Sequence, residues 1–187
     1  MDEEGKKIII GIGASSDPDP NPMAVEKARI FSRTLSRYRD EVILMSGGDG
    51  GLMKIACREF VENGGTTIGV IPLEDEFIDP SHPRYSPYNS ISILTGVTYQ
   101  MRSIPIARSC DAMVILGGGA GTMIEAFLAY LYRKPLIIMT GTGYPSDKLV
   151  ELCEDGYLDH RRIVKAYFVE DPAQAAELAY RLAKSRS

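Results

Sequence analysis

Seven short apolar runs punctuate this chain, and most are separated by a stretch with helical periodicity. That alternation constrains the fold more than any other feature. A strand joined to the next through a helix cannot turn back on itself in a hairpin. The helix crosses over and lays the next strand parallel, with right-handed connections. The runs occupy residues 6–13, 42–45, 66–71, 90–94, 112–116, 136–139 and 164–169. They are continuous (IIIGIG, VILM, TTIGVI, LIIM) where a half-exposed strand would alternate, so they read as strands buried on both faces. Helical patterns cover 23–38, 52–62, 97–109, 122–132, 147–153 and 171–184, with Pro22 suited to the first turn of the first helix. The expected fold class is α/β, in three layers: a mostly parallel sheet with helices on both faces. The length of 187 residues suits one such domain, and no repeat or linker divides residues 1–187.

Charge and composition narrow the function classes. The net charge is −4 and the basic residues are scattered, apart from Arg161-Arg162 and the C-terminal tail. No nucleic-acid partner is expected from that balance. Cys57, Cys110 and Cys153 stand far apart, without metal-ligand spacing. They read as reduced core fillers of a cytoplasmic protein. The two histidines, His82 and His160, lie far apart in polar loops, so neither a metal site nor histidine catalysis is expected. The charged start MDEEGKK lacks the apolar segment of an export signal, and no apolar run approaches a membrane span, so no membrane partner is expected.

In a parallel sheet, ligands bind beyond the carboxyl ends of the strands. The loops expected there are 14–22, 46–51, 95–102, 117–121 and 140–146, and most of the unusual chemistry of the chain falls in them. Gly11-Ile12-Gly13 begins like a dinucleotide fingerprint, but Ser16 stands where its third glycine belongs, and no acid clearly closes the second strand. No stretch fits GxxxxGK[ST]. What remains is ILGGGAGTMIEAF, residues 115–127, an apolar strand feeding a helix through glycines. Glycines let backbone approach a ligand, and a helix N-terminus offers free N–H groups to an anion. The alternative is a structural turn. Thr122-Met123-Ile124-Glu125 also matches a capping box, so Glu125 can cap, act in chemistry, or both. Arg102 opens the preceding helix. If strands four and five are neighbours, Arg102 and Glu125 meet at one edge, where an arginine favours an anionic partner. The alternative for Arg102 is an ion pair with an acid. Asp147 and Lys148 lie near the same edge, where a cap at Ser146 or Asp147 accounts for them. Residues 72–90, with four prolines, are a binding loop or a surface excursion. Residues 124–132 are apolar nearly all round, which suits burial against a second subunit in a homodimer or higher homo-oligomer.

Four segments, SGGDGGLM (46–53), GGTTIGVIP (64–72), QMRS (100–103) and GGxGTxxE (118–125), resemble in order and spacing the lonely-guy (LOG) family, which is often mislabelled as lysine decarboxylase. The resemblance covers residues 6–139. It implies a modified Rossmann fold, usually dimeric, that works without pyridoxal phosphate, and no cofactor is expected. It also implies a phosphoribohydrolase acting on a nucleoside 5′-monophosphate. The family's catalytic arginine and glutamate correspond to Arg102 and Glu125, and its phosphate loop to Gly118, Gly119, Gly121 and Thr122. With the neighbouring loop positions, the candidate binding set is Gly13, Ser46, Gly47, Gly48, Gly117, Gly118, Gly119, Ala120, Gly121 and Thr122. Gly117 replaces the family's proline, Ser103 the lysine after its arginine, and Ile124 its first acid. LGGGAGT and DGYLDHRR (155–162) are more similar to a sister branch grouped with molybdenum-cofactor carrier proteins and related to the fold of DNA-processing protein A. The expected partner is thus a small phosphorylated ligand, either hydrolysed or carried.

Overall fold

The computed structural model describes residues 6–186, and the charged start MDEEG lies outside them. Seven strands form one sheet: β1 (Ile8–Ala14), β2 (Val42–Ser46), β3 (Thr66–Ile71), β4 (Ile91–Leu94), β5 (Ala112–Gly117), β6 (Leu136–Met139) and β7 (Ala166–Val169). The helices are α1 (Pro22–Leu35), α2 (Gly51–Glu62), α3 (Tyr99–Ser109), α4 (Ala120–Leu131) and α5 (Pro172–Lys184). Every strand pairing is parallel, in the order β4-β3-β2-β1-β5-β6-β7.

Local chemistry sets the helix ends. Asn21 caps α1 by accepting from the Met23 N–H at 2.9 Å, with Pro22 in the first turn. Asp171 caps α5 through the Gln174 N–H at 2.7 Å. After α2 the chain turns at Gly64, with φ +84°, and Gly65 N–H bonds back to the Phe60 carbonyl. Residues 36–38 and 145–152, expected within or as α-helices, form 3-10 turns.

Successive strand side chains point to opposite faces. Ile8, Ile10, Ile12, Val114 and Leu116 pack toward α1, α2 and α5. Met45, Ile68, Met113 and Ile115 pack in the second core, with Ile106 of α3 and Ala126 and Tyr130 of α4. Among the described residues, no helix is long and apolar enough to cross a membrane.

Two expectations are corrected. β4 is not a neighbour of β5; it is the sheet edge, separated from β5 by β3, β2 and β1. Arg102 and Glu125 are instead brought together by α3 and α4, which pack side by side on one face. Nor is β4 buried on both sides: all four of its residues are exposed. Residues 72–90 are also more than a surface excursion. They are tied to the body by Asn89 Nδ2, which donates to the Gly48 carbonyl at 2.8 Å, and by Leu73 N–H, which donates to Val97 O at 2.8 Å.

Candidate functional site

The strand order reverses between β1 and β5, and the loops leaving these strands diverge at that point. Ser15 N–H donates to Gly117 O at 2.8 Å, and Leu52 N–H donates to Ser15 O at 2.8 Å, which joins the β1, β5 and β2 loops. A cavity of about 250 Å³ opens there, lined among others by Ser15, Tyr99, Arg102, Gly119, Thr122 and Glu125.

The three consecutive glycines after β5 do different jobs. Gly117 takes φ +123°, and a Cβ there would lie 3.0 Å from Thr142. The Gly118 N–H is already used, donating to Ser146 Oγ at 3.1 Å, and Ser146 N–H returns a bond to Gly118 O at 3.0 Å. Gly119 is the N-cap of α4, without a side-chain cap. The first-turn N–H groups have no intrahelical acceptor, so those after Gly119 stand bare at the cavity. Thr122 is therefore inside the first turn, and the capping box does not form. Glu125 is left free of any capping role.

Side chains at Gly119 and Gly121 would meet nothing within 4 Å, so the fold itself does not demand glycine at either position. Gly121→Ala is expected to raise stability by about 0.5–1 kcal/mol, because it replaces glycine within a helix. The same methyl group reduces the space available to an anion at the bare amides. Thermal unfolding with and without a phosphorylated ligand checks both effects. A ligand-induced shift equal to that of the wild-type protein counts against anion binding at this turn.

Glu125, one turn further along α4, is only 5% exposed. A Cβ at Gly13 would lie 2.7 Å from Glu125 Oε2, so Gly13 leaves the room that the carboxyl occupies. Burial pushes this carboxyl up to about 8; Arg102 opposes the shift, Asp49 adds to it, and Ser103 opposes it. Glu125 is largely protonated at neutral pH as a result. Arg102 is buried beside it but directed elsewhere. Its guanidinium ion-pairs with Asp49 Oδ2 at 3.1 Å, donates to the Gly47 carbonyl, and lies 5.1 Å from the Tyr99 ring centre. Arg84 also sits over this ring, 5.4 Å from its centre, and the Tyr99 hydroxyl donates to Asp75 at 2.7 Å.

Of the residues singled out in the sequence, Arg102, Glu125, Gly119, Gly121 and Thr122 line the cavity. Ala120 lies in the same first turn of α4, while Gly117 and Gly118 shape the turn from beneath. Ser46 Oγ accepts from Gly48 N–H at 3.0 Å and so folds its own loop. Gly47 admits the Arg102 guanidinium, since a Cβ there would lie 2.6 Å from its central carbon. Gly48 takes φ +74° and lines a separate cavity with Asp49 and Asn89. Ser146 and Asp147 do not cap a helix. Ser146 holds Gly118, and Asp147 accepts from the Thr142 and Gly143 N–H groups, both at 2.9 Å.

Asp49, Tyr99 and Ser15 were not anticipated. The signal for Asp49 was its place between glycine pairs just past β2, where a carboxylate invites an ion pair. Burial raises the Cys57 thiol to about 11 and the Cys110 thiol to about 12, so neither is a ready nucleophile. Among the described residues no cluster of three His, Cys, Asp or Glu could hold a metal.

Comparison with known proteins agrees with this architecture. The solved structure of TM1055 superposes with a TM-score of 0.83 at 30% identity, covering 93% of this chain and 99% of that one. The molybdenum cofactor carrier protein of Chlamydomonas reinhardtii superposes with a TM-score of 0.75 at 28% identity, covering 96% and 99%. A cytokinin riboside 5′-monophosphate phosphoribohydrolase of Arabidopsis thaliana is 26% identical over 171 residues, 85% of this chain and 75% of that protein. The description "SLOG cluster4 family" belongs to the family model that matches residues 6–176. With residues 6–176 matched, nearly the whole chain, the protein belongs to the SLOG cluster4 family.

Proposed function

We propose that this protein binds a nucleoside 5′-monophosphate at the cavity between β1 and β5 and hydrolyses its N-glycosidic bond. The observation that carries the reading is the pairing, in one cavity, of bare α4 amides with the buried carboxyl of Glu125. The amides and the positive end of α4 suit the 5′-phosphate. Cleavage passes through an oxocarbenium-like sugar. Water adds to the anomeric carbon as the C–N bond breaks, and the electron pair leaves on the base nitrogen. The base takes a proton from Glu125, and water gives one up to solvent. The products are the free base and ribose 5-phosphate. Similarity to the Arabidopsis phosphoribohydrolase supports the substrate class.

Incubation with a panel of nucleoside 5′-monophosphates, followed by chromatography, tests this reading. Release of a free base names the substrate, and silence across the panel rejects the reaction.

A second reading keeps the same cradle without chemistry: a carrier for a phosphorylated ligand such as the molybdenum cofactor. The observation favouring it is likeness to the Chlamydomonas carrier over 96% of this chain. A rise in Tm with phosphorylated pterins, and none with nucleotides, would select it.

The site is proposed to work in a homodimer. Ile124, Phe127 and Leu131 of α4 are exposed large apolar side chains, as is Met101 of α3. Phe127→Glu is expected to shift the mass measured by light scattering from dimer to monomer. A wild-type monomer at working concentration rejects the assembly.

A further inference from the structure

Arg102 and Glu125 line the cavity, and Asp49 meets the Arg102 guanidinium from the β2–α2 loop beside it. Asp49 and Glu125 are 2% and 5% exposed, and Arg102 is 6% exposed. Among the described residues, Arg102 forms its ion pair with Asp49 and none with Glu125. The attachment is two-pronged, because the Gly47 carbonyl on the same loop accepts from the same guanidinium. That loop cannot easily follow Arg102 toward α4. It is held by the close approach of Gly48 to the Gly69 backbone, by the Ser46 hydroxyl, and by Asn89. Among the described residues, Asp49 Oδ1 meanwhile has no hydrogen-bond partner, so its carboxylate is compensated chiefly through Arg102.

We propose that Asp49 is a positioning residue that holds Arg102 away from Glu125 and thereby keeps Glu125 as the proton donor of the site. The inference rests on the reading of Glu125 as the acid group of this cavity. Buried in apolar surroundings, a carboxyl ionises when a cation is at hand. Asp49 withholds that cation and adds a negative charge of its own.

The charged and titratable groups around Glu125 are few. α3 contributes Arg102 and Tyr99, and the β2–α2 loop contributes Asp49. β1 presents Gly13, and Ser15 follows it, while α4 adds Thr122. Asp75 and Arg84 form an ion pair of their own behind Tyr99. Among the described residues, Asp49 is thus the one acid that ion-pairs with Arg102.

The test uses ligand-free full-length protein, so its failure is separable from failure of the base-release assay. Infrared difference spectra against Glu125→Gln isolate the carbonyl stretch of the protonated Glu125 carboxyl, which is then titrated with pH. In wild-type protein the midpoint is expected near 8. In Asp49→Asn it is expected to fall by about one pH unit or more, because Arg102 becomes available and a negative charge is lost. Asp49→Ser makes the same prediction and serves if the amide variant does not fold. Asp49→Glu is expected to restore a midpoint close to wild type. A folded Asp49→Asn or Asp49→Ser protein with an unchanged midpoint overturns the proposal. So does an Asp49→Glu protein that titrates like Asp49→Asn, since packing rather than charge would then govern Glu125.

Discussion

Glu125→Gln is expected to lower base release by about a hundredfold or more while leaving the fold intact. The amide keeps the size of the carboxyl and fits the space above Gly13, but it has no proton to give to a departing base. The same variant makes a second prediction that is independent of substrate. In the folded protein the Glu125 carboxyl titrates near 8, against 4.5 for an unperturbed group. The folded state therefore binds a proton more tightly than the unfolded state does. The stabilising effect of that bound proton is complete below about pH 4.5. It declines as pH rises between the two values and is gone above about 8. Relative to wild type, Glu125→Gln is expected to gain several degrees in Tm at pH 8 and little at pH 5. Wild-type turnover in this variant removes Glu125 from the chemistry. A Tm difference that does not vary with pH removes the perturbed titration.

Gly51→Ala is expected to be the most disruptive small substitution in the site loops. Gly51 opens α2 with φ +61°, in the left-handed region that penalises a Cβ. A methyl group there would also press on the Ser15 carbonyl and lie 2.6 Å from the Ser16 carbonyl carbon, both backbone atoms of the β1 loop. Backbone cannot step aside as a side-chain tip can. Strain and overpacking together are expected to cost about 2–4 kcal/mol, a fall in Tm on the order of ten degrees. The loop that gives way carries Ser15, so ligand binding is expected to weaken too. Calorimetry checks the first effect and ligand-induced stabilisation the second. A Tm within a degree of wild type would mean that the two loops are not in this close contact.

Residues with one-dimensional signatures were legible before any coordinates. The parallel α/β fold followed from continuous apolar runs such as VILM and LIIM, separated by helical periods. Pro22 in the first turn of α1 was legible for the same local reason, its fixed φ suiting a helix start. The glycine-rich turn into α4 was legible because only a few conformations lead from a buried strand into a helix. What failed were inferences about who stands next to whom. Strand order cannot be read from periodicity: strands consecutive in sequence invite a β4–β5 pairing, yet β4 forms the exposed edge. The T-x-x-E pattern fits a capping box at Thr122, yet the helix begins two residues earlier and turns Glu125 inward.

The sequence by itself determined the layers, the parallel sense and the glycine turn, because those depend on burial pattern and on conformations of adjacent residues. Tertiary structure alone decided the electrostatics of the site. Asp49 and Arg102 are 53 residues apart. Whether an arginine answers one carboxylate or another depends on distances of a few ångströms in a low-dielectric interior. Packing of α3 beside α4, and of the β2–α2 loop beneath them, gives Arg102 to Asp49 and leaves Glu125 with its proton.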